Sequence, residues 1–173
     1  MLTRQLSLSA PIIFLIYLFQ EAVMNQFKLP GGGFSLFMIF ALVWAVISTP
    51  EIAALTGFAT GILMDMSQSS GGPVGQWTLI MILVCYGASY LGYGDGNING
   101  NPLGVIFFVV TANIGAEICF VASAALLGVA TGSFGQILVT LLGNAIWTVV
   151  ITPIVLPVFS FLHNVVFETR SSL

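Results

Sequence analysis

Apolar runs follow one another along nearly the whole chain, and short breaks rich in glycine, proline, serine and asparagine separate them. Only 5% of the 173 residues are charged, against about 25% in an ordinary soluble domain. Three basic and six acidic side chains cannot cover the surface of a soluble protein of this size, so the bilayer must be the solvent for most of it. The sequence therefore predicts an all-α, polytopic membrane protein with a single integral membrane domain over residues 1–173.

A helix that crosses a bilayer needs about 20 apolar residues, within a range of about 17–25. The apolar runs and their breaks predict six transmembrane helices, over residues 9–27, 34–47, 51–66, 76–93, 102–127 and 136–162. Thr49, Pro50 and Glu51 are typical of a helix start, with a capping hydroxyl, a proline in the first turn and a carboxylate near the positive end of the dipole. Pro153 and Pro157 are expected to kink or shorten the sixth helix.

The few charged residues also predict an orientation in the membrane. Six spans put both termini on the same side, and the positive-inside rule places Arg4 and Arg170 in the cytoplasm. The loop that contains Lys28 is then outside. Trp77 and Tyr93, at opposite ends of the predicted fourth helix, are expected to anchor that helix at the two membrane interfaces.

Small residues form a strip along the predicted third helix, because Ala53, Gly57, Gly61 and Asp65 follow one another at four-residue spacing. Such a strip lets the backbone of another helix approach closely. Asp65 ends the strip, and a carboxylate in a membrane helix must be paired, hydrogen-bonded or wet. It either caps the next turn or is solvated at the interface, or it fixes the following loop by accepting N–H groups of residues 67–72. Proton or ion transport through Asp65 is a third interpretation.

Polar residues also recur in the fifth and sixth helices. Asn113 and Glu117 lie mid-span and one turn apart, and they are expected to be buried polar groups that knit the bundle, a partner contact or part of a ligand pocket. The sixth helix carries a stripe at four-residue spacing, formed by Thr140, Asn144, Thr148 and Thr152. This stripe must face protein or water, and it either hydrogen-bonds inside the bundle or forms a groove for another protein's transmembrane helix.

No catalytic, cofactor-binding or metal-binding residues are predicted, and the chain is expected not to be an enzyme. Residues 95–100 match the opening of an EF-hand loop, but Ile106 stands where the bidentate glutamate is needed. The only histidine, His163, has no nucleophile or metal-ligand partner at useful spacing, so it is interpreted as interfacial. The three basic residues form no patch for nucleic acid.

Residues 57–93 read GFATGILMDMSQSSGGPVGQWTLIMILVCYGASYLGY. This segment resembles the core signature of the rod shape-determining MreD family, which has a G-x-x-x-G helix ending in aspartate, a small polar loop with Pro-x-Gly, and an apolar helix with a central tyrosine. The matching positions are Gly57, Gly61, Asp65, Pro73, Gly75 and Tyr86. Residues 143–162, with Asn144, Pro153 and Pro157, resemble the family's last helix. Asp65, Pro73 and Gly75 are expected to structure the loop between the third and fourth helices.

The resemblance implies a six-helix arrangement similar to the substrate-binding S-components of energy-coupling-factor vitamin transporters. It also implies a scaffold in the bacterial cytoplasmic membrane that has no enzymatic activity. Such a scaffold binds MreC and, through it, works with MreB, RodA and a penicillin-binding transpeptidase in cell elongation and peptidoglycan synthesis. The strip Ala53–Gly57–Gly61 and the stripe of the sixth helix are the predicted faces for the transmembrane helix of MreC.

Two other functions remain open from the sequence. An S-component that captures a vitamin from outside needs a polar pocket near its outer face, and residues 67–75 are expected to line it together with the end of the first span. The residues proposed for that end are Gln20, Glu21, Asn25 and Gln26. A channel or proton-coupled transporter would use Asp65 and Glu117.

Overall fold

A computed structural model describes residues 2–26, 33–67, 72–94, 101–129 and 132–167, without the side chains of residues 2–7 and 93–94. Within these ranges the chain is all-helical. The helices are α1 Leu2–Ala22, α2 Leu36–Val46, α3 Pro50–Met66, α4 Gln76–Gly94, α5 Pro102–Leu126 and α6 Phe134–Phe167. One 3₁₀ turn, Met24–Gln26, follows α1.

α2 is the centre of the bundle and packs against all five other helices. Its residues Phe37–Val46 are at most 2% exposed, which explains why this helix is apolar on every face. Ser35 caps it by accepting a hydrogen bond from the N–H of Met38 at 3.2 Å. With 11 residues, α2 is only about 16 Å long, roughly half the thickness of the hydrocarbon core. It can be this short because its neighbours, rather than lipid, surround it.

Side-chain contacts at the two ends of the bundle show that consecutive helices run in opposite directions. At one end, which we call the Glu21 end, Glu21 near the end of α1 bonds Ser67 after α3. At the other end, the His163 end, Ser48 after α2 contacts Ser89 late in α4 and His163 late in α6. Helices α1, α3 and α5 therefore finish at the Glu21 end, where α2, α4 and α6 begin.

α3 and α4 form a hairpin whose backbones touch. A Cβ atom on Gly57 would lie 2.4 Å from the carbonyl oxygen of Met81, and one on Gly61 would lie 2.4 Å from the Cα of Thr78. Ala53, one turn before Gly57, is fully buried. The strip of small residues is thus filled by α4 of the same chain. The expectation that it receives the helix of another protein is wrong, because no space remains there.

The helix bounds lie close to the predicted segments, with differences at α1 and α6. α1 begins at Leu2, and α6 extends over 34 residues that include Pro153 and Pro157. The expectation that these prolines shorten the sixth helix is wrong, since neighbouring helices and side chains let a membrane helix tolerate proline. The alternative, that they kink the helix, stays a prediction. α3 begins at Pro50 with Glu51 in its first turn, but the Thr49 side chain makes no capping hydrogen bond.

Among the described residues, three helices are long and apolar enough to cross a membrane, Leu8–Gln26, Pro102–Leu126 and Phe134–Phe167. Large apolar side chains such as Phe107, Ile118, Ile146 and Ile154 are exposed on the outer faces of α5 and α6. These features indicate a membrane protein, because lipid can cover such faces and water cannot do so cheaply.

Several sequence predictions fall on parts of the chain that are not described. Lys28, Arg170 and residues 95–100 lie outside the described residues, as do the side chains of Arg4 and Tyr93. The orientation of the termini and the anchoring role of Tyr93 therefore stay predictions.

The glycine contacts predict opposite outcomes for two single-methyl substitutions. Gly57→Ala forces α3 away from Met81, and we expect a loss of about 1–3 kcal/mol of stability from overpacking. Gly87→Ala in α4 is the matched control, since a Cβ there meets nothing within 4 Å and alanine favours a helix over glycine. Unfolding in mixed micelles by titration with sodium dodecyl sulfate measures both. Equal stability of the two variants would contradict the close approach of α3 and α4.

Candidate functional site

A cavity of about 470 Å³ opens at the Glu21 end of the bundle, and all six helices or the turns beside them contribute to its wall. Its size falls within the range of small-molecule sites, about 300–1,000 Å³. The polar residues that matter for its chemistry are Gln20, Glu21, Asn25, Ser67, Glu117 and Asn144. The aromatic walls include Tyr17, Phe37, Trp77 and Phe120.

Gln20 fixes one wall of the cavity. Its side chain is only 8% exposed, and both ends of its amide are used. Oε1 accepts a hydrogen bond from the N–H of Phe37 at 3.3 Å, and Nε2 donates to Oδ1 of Asn25 at 2.9 Å. The end of α1 is thereby tied to the start of α2, and Asn25 is held at the cavity. Gln26 is exposed and donates to the carbonyl of Ala22, so it does not join this wall.

A carboxylate from α1 lies beside Gln20. The hydroxyl of Ser67 donates to Oε1 of Glu21 at 2.5 Å and joins the ends of α1 and α3. Four residues expected to line a pocket thus meet in one cavity, namely Gln20, Glu21, Asn25 and Ser67. Residues 68–71 of the expected lining lie outside the described part of the chain.

The second carboxylate of the cavity connects α5 to α6. Nδ2 of Asn144 donates to Oε1 of Glu117, and Oγ1 of Thr148 donates to Oδ1 of Asn144 at 3.3 Å. Oγ1 of Thr152 in turn donates a hydrogen bond to the carbonyl oxygen of Thr148 at 2.6 Å. Thr148 and Thr152 are fully buried, whereas Thr140 is exposed and reaches the cavity. The polar stripe thus bonds within the bundle at one end and lines the cavity at the other.

Asn113 lies one turn before Glu117 in α5 and is 1% exposed. Its Nδ2 has no hydrogen-bond partner among the described residues, although an unpartnered buried amide is costly. It does not belong to the cavity wall. Asn113 and Glu117 lie on the same face of α5, but Asn113 is buried in the bundle whereas Glu117 lines the cavity. Of the two, only Glu117 can contact a ligand there.

Asp65 caps α4 from outside that helix. Its carboxylate accepts hydrogen bonds from the N–H groups of Trp77 and Thr78, both at 3.0 Å, and from the hydroxyl of Thr78. A negative charge at the positive end of a helix dipole is stabilising. The described donors belong to the first turn of α4, whereas residues 68–71, which were also expected to donate, lie outside the described residues.

Pro73 and Gly75 complete the start of α4. The carbonyl of Pro73 accepts from the N–H of Gln76 at 3.2 Å, and Gly75 has a φ of +95°, which L-residues with side chains rarely adopt. Asp65 does not line the cavity. Asp65 and Glu117 are therefore not brought together, and the arrangement gives no support to a transport path that uses both.

Trp77 lines the cavity. Its ring stacks on that of Phe120, with centroids 4.5 Å apart and an interplanar angle of 16°. The sequence carries no local signal for this stacking, because the two rings lie on different helices. Whether Trp77 also anchors α4 at a membrane interface stays a prediction.

His163 is buried at the opposite end of the bundle. Its Nε2 lies 2.9 Å from Oγ of Ser48, and its ring contacts those of Trp44 and Phe167, with centroids 5.1 and 4.3 Å away. His163 therefore has a serine partner that spacing along the chain does not reveal, and its position relative to the membrane interface stays a prediction. Sequence reasoning missed the pair because Ser48 and His163 are 115 positions apart. A serine directly after the apolar run of α2 was the one available signal.

No three His, Cys, Asp or Glu residues in the described ranges are close enough to hold a metal ion. Comparison with known proteins adds no relative. No protein family matches the sequence, no curated protein matches it, and no solved structure matches the fold.

The cap on α4 predicts the effect of removing the Asp65 carboxylate. Asp65→Ala leaves the N–H groups of Trp77 and Thr78 without their acceptor, and we expect a loss of about 0.5–2 kcal/mol, as for other helix caps. Asp65→Asn keeps one acceptor oxygen and should lose less. Thermal unfolding in detergent measures the series, with Glu51→Gln, an exposed acidic position in α3, as control. A melting temperature for Asp65→Ala equal to that of the control would show that the cap does not stabilise the fold.

Proposed function

We propose that the chain is a non-enzymatic membrane scaffold of the MreD type, which binds MreC in the bacterial cytoplasmic membrane and helps to position the cell-wall synthases. One observation carries the proposal. The signature residues Gly57, Gly61, Asp65 and Gly75 serve one structural unit, the α3–α4 hairpin. Two of them allow the backbones to touch, one caps α4, and one adopts a positive φ. Apolar composition alone does not require such a set at these spacings.

The proposal includes six membrane crossings with both termini in the cytoplasm. α3 and α4, of 17 and 19 residues, are about 26 and 28 Å long and nearly match the hydrocarbon core. α2 is shorter but lies inside the ring of the other helices. The alternating directions of the helices put the Glu21 end on the side opposite the termini. The cavity then opens toward the outside of the cell.

The contact with MreC is assigned to the outer side of the same hairpin. The inner strip is occupied by α4, and Thr148 and Thr152 are buried within the bundle. A shallow apolar groove runs between α3 and α4 on their outer side, and its wall includes Ile62, Leu79 and Leu83. Because apolar burial drives helices together only weakly in lipid, a partner helix gains affinity there from close packing.

Co-purification tests this function. The tagged chain is expressed with MreC from the same bacterium, extracted in mild detergent and captured, and we expect MreC in the eluate. Leu83→Trp fills the groove and should lower the recovered MreC at least about tenfold, which corresponds to about 1.4 kcal/mol. Ile146→Trp, on the exposed face of α6, is the matched control.

Two results would each contradict one part of the proposal. If folded wild-type chain and inserted MreC do not elute together, the function is wrong. If Leu83→Trp and Ile146→Trp both retain MreC, the function stands and the groove is not the contact.

The cavity favours a second candidate function, the capture of a small molecule from outside, as in the S-components of energy-coupling-factor transporters. Its polar residues include Gln20, Glu21, Asn25 and Ser67, and they are fixed by hydrogen bonds to one another and to the backbone. Such a preformed wall lowers the entropic cost of binding.

A thermal-shift screen against vitamins tests the capture function. A ligand at about 100 times its Kd stabilises the folded state by about 2.7 kcal/mol, so a tight ligand should raise the melting temperature clearly. A screen in which no vitamin shifts the melting temperature, while MreC co-purifies, would exclude vitamin capture and leave the scaffold.

A further inference from the structure

We propose that the cavity at the Glu21 end selects a small organic cation, namely an amine attached to an aromatic or apolar group. This inference rests on the second proposed function, the capture of a small molecule, and it names the chemical class that the wall accepts. Three features of the wall support this assignment: its acidic side chains, its hydrogen-bonding groups and its aromatic faces.

Two acidic side chains, Glu21 and Glu117, lie in the described wall. The described donors to them are neutral, the hydroxyl of Ser67 and the amide of Asn144. The wall contains no lysine, arginine or histidine among the residues that the structure describes. A carboxylate accepts several hydrogen bonds, and its charge is costly inside an apolar body unless a cation balances it. A cationic ligand supplies that balance.

Two amide groups of the wall are already engaged as donors. Nε2 of Gln20 donates to Asn25, and Nδ2 of Asn144 donates to Glu117. Donors remain in the wall, such as the amide of Gln136, so the main obstacle to an anionic ligand is repulsion by the two acidic side chains. The acceptor oxygens of those side chains suit a ligand rich in N–H donors.

Aromatic rings line the same cavity as these carboxylates. Trp77 stacks on Phe120, and Tyr17 meets Phe37 edge to face with centroids 5.5 Å apart. Ring faces attract ammonium groups, most strongly when water is excluded, and they also pack against a flat apolar ligand. With about 470 Å³ of space, the cavity accommodates an amine together with such a group.

Three probes of similar shape and different charge test the inference: 2-phenylethylamine, 2-phenylethanol and phenylacetate. The full chain is placed in nanodiscs, binding is measured by isothermal titration calorimetry, and empty nanodiscs correct for partition into lipid. We expect 2-phenylethylamine to bind at least about tenfold more tightly than the other two. Glu117→Gln and Glu21→Gln should each weaken its binding at least about fivefold, since each removes one charge and keeps the size of the side chain.

Glu51→Gln is the matched control, because Glu51 is an exposed glutamate at the start of α3, at the His163 end. It should leave the affinity unchanged. Lys28→Gln should leave it unchanged or raise it, because Lys28 would only compete with a cation. Each variant must elute as a monodisperse peak before titration, and if Glu117→Gln fails to fold, Glu21→Gln carries the test.

The possible outcomes distinguish failure of the charge selectivity from failure of small-molecule capture. Equal or tighter binding of 2-phenylethanol or phenylacetate would overturn the charge selectivity while small-molecule capture stands. Unchanged affinity in both glutamate variants, or loss of binding in Lys28→Gln, would also overturn it. If none of the three probes binds and no vitamin shifts the melting temperature, the capture function fails together with the inference.

Discussion

In lipid, burial of apolar surface contributes little to the association of helices. The bundle therefore depends on close packing and on hydrogen-bonded polar groups. The α3–α4 hairpin shows both at once. Gly57 and Gly61 allow the two backbones to come into contact. Asp65 accepts hydrogen bonds from the backbone N–H groups at the start of α4. Other polar side chains also connect one helix to another by hydrogen bonds. Gln20 bonds to α2, Asn144 to α5, and Ser48 to α6.

The two ends of the bundle use polar side chains differently. At the His163 end, aromatic rings enclose the histidine, which leaves a closed and structural cluster. At the Glu21 end, Glu21 and Glu117 each accept a hydrogen bond from a neutral donor among the described residues, and both line the open cavity. The fold therefore separates a closed end from a receptive one, and both proposed functions place the receptive end outside the cell.

The sequence predicts local features well and distant contacts poorly. Apolar runs and their breaks locate the helices, and four-residue spacing identifies the close-packing strip, since both depend on neighbours along one helix. The partners of that strip and of Asp65 were not predictable, because α4 meets α3 only after the loop has folded back. The contacts of His163 with Ser48 and of Trp77 with Phe120 were not predictable for the same reason, since they join distant parts of the chain. The polar end of α1 was correctly associated with a pocket because Gln20, Glu21 and Asn25 cluster in sequence.

The enclosed position of α2 has a consequence for how the protein is made. A segment of 11 residues is too short to span the hydrocarbon core when it leaves the ribosome, and its final surroundings are helices that are mostly synthesised later. Its full set of packing contacts can exist only after α3 to α6 have been synthesised. The central helix of the bundle is therefore among the last elements to reach its final contacts, although it is the second to leave the ribosome.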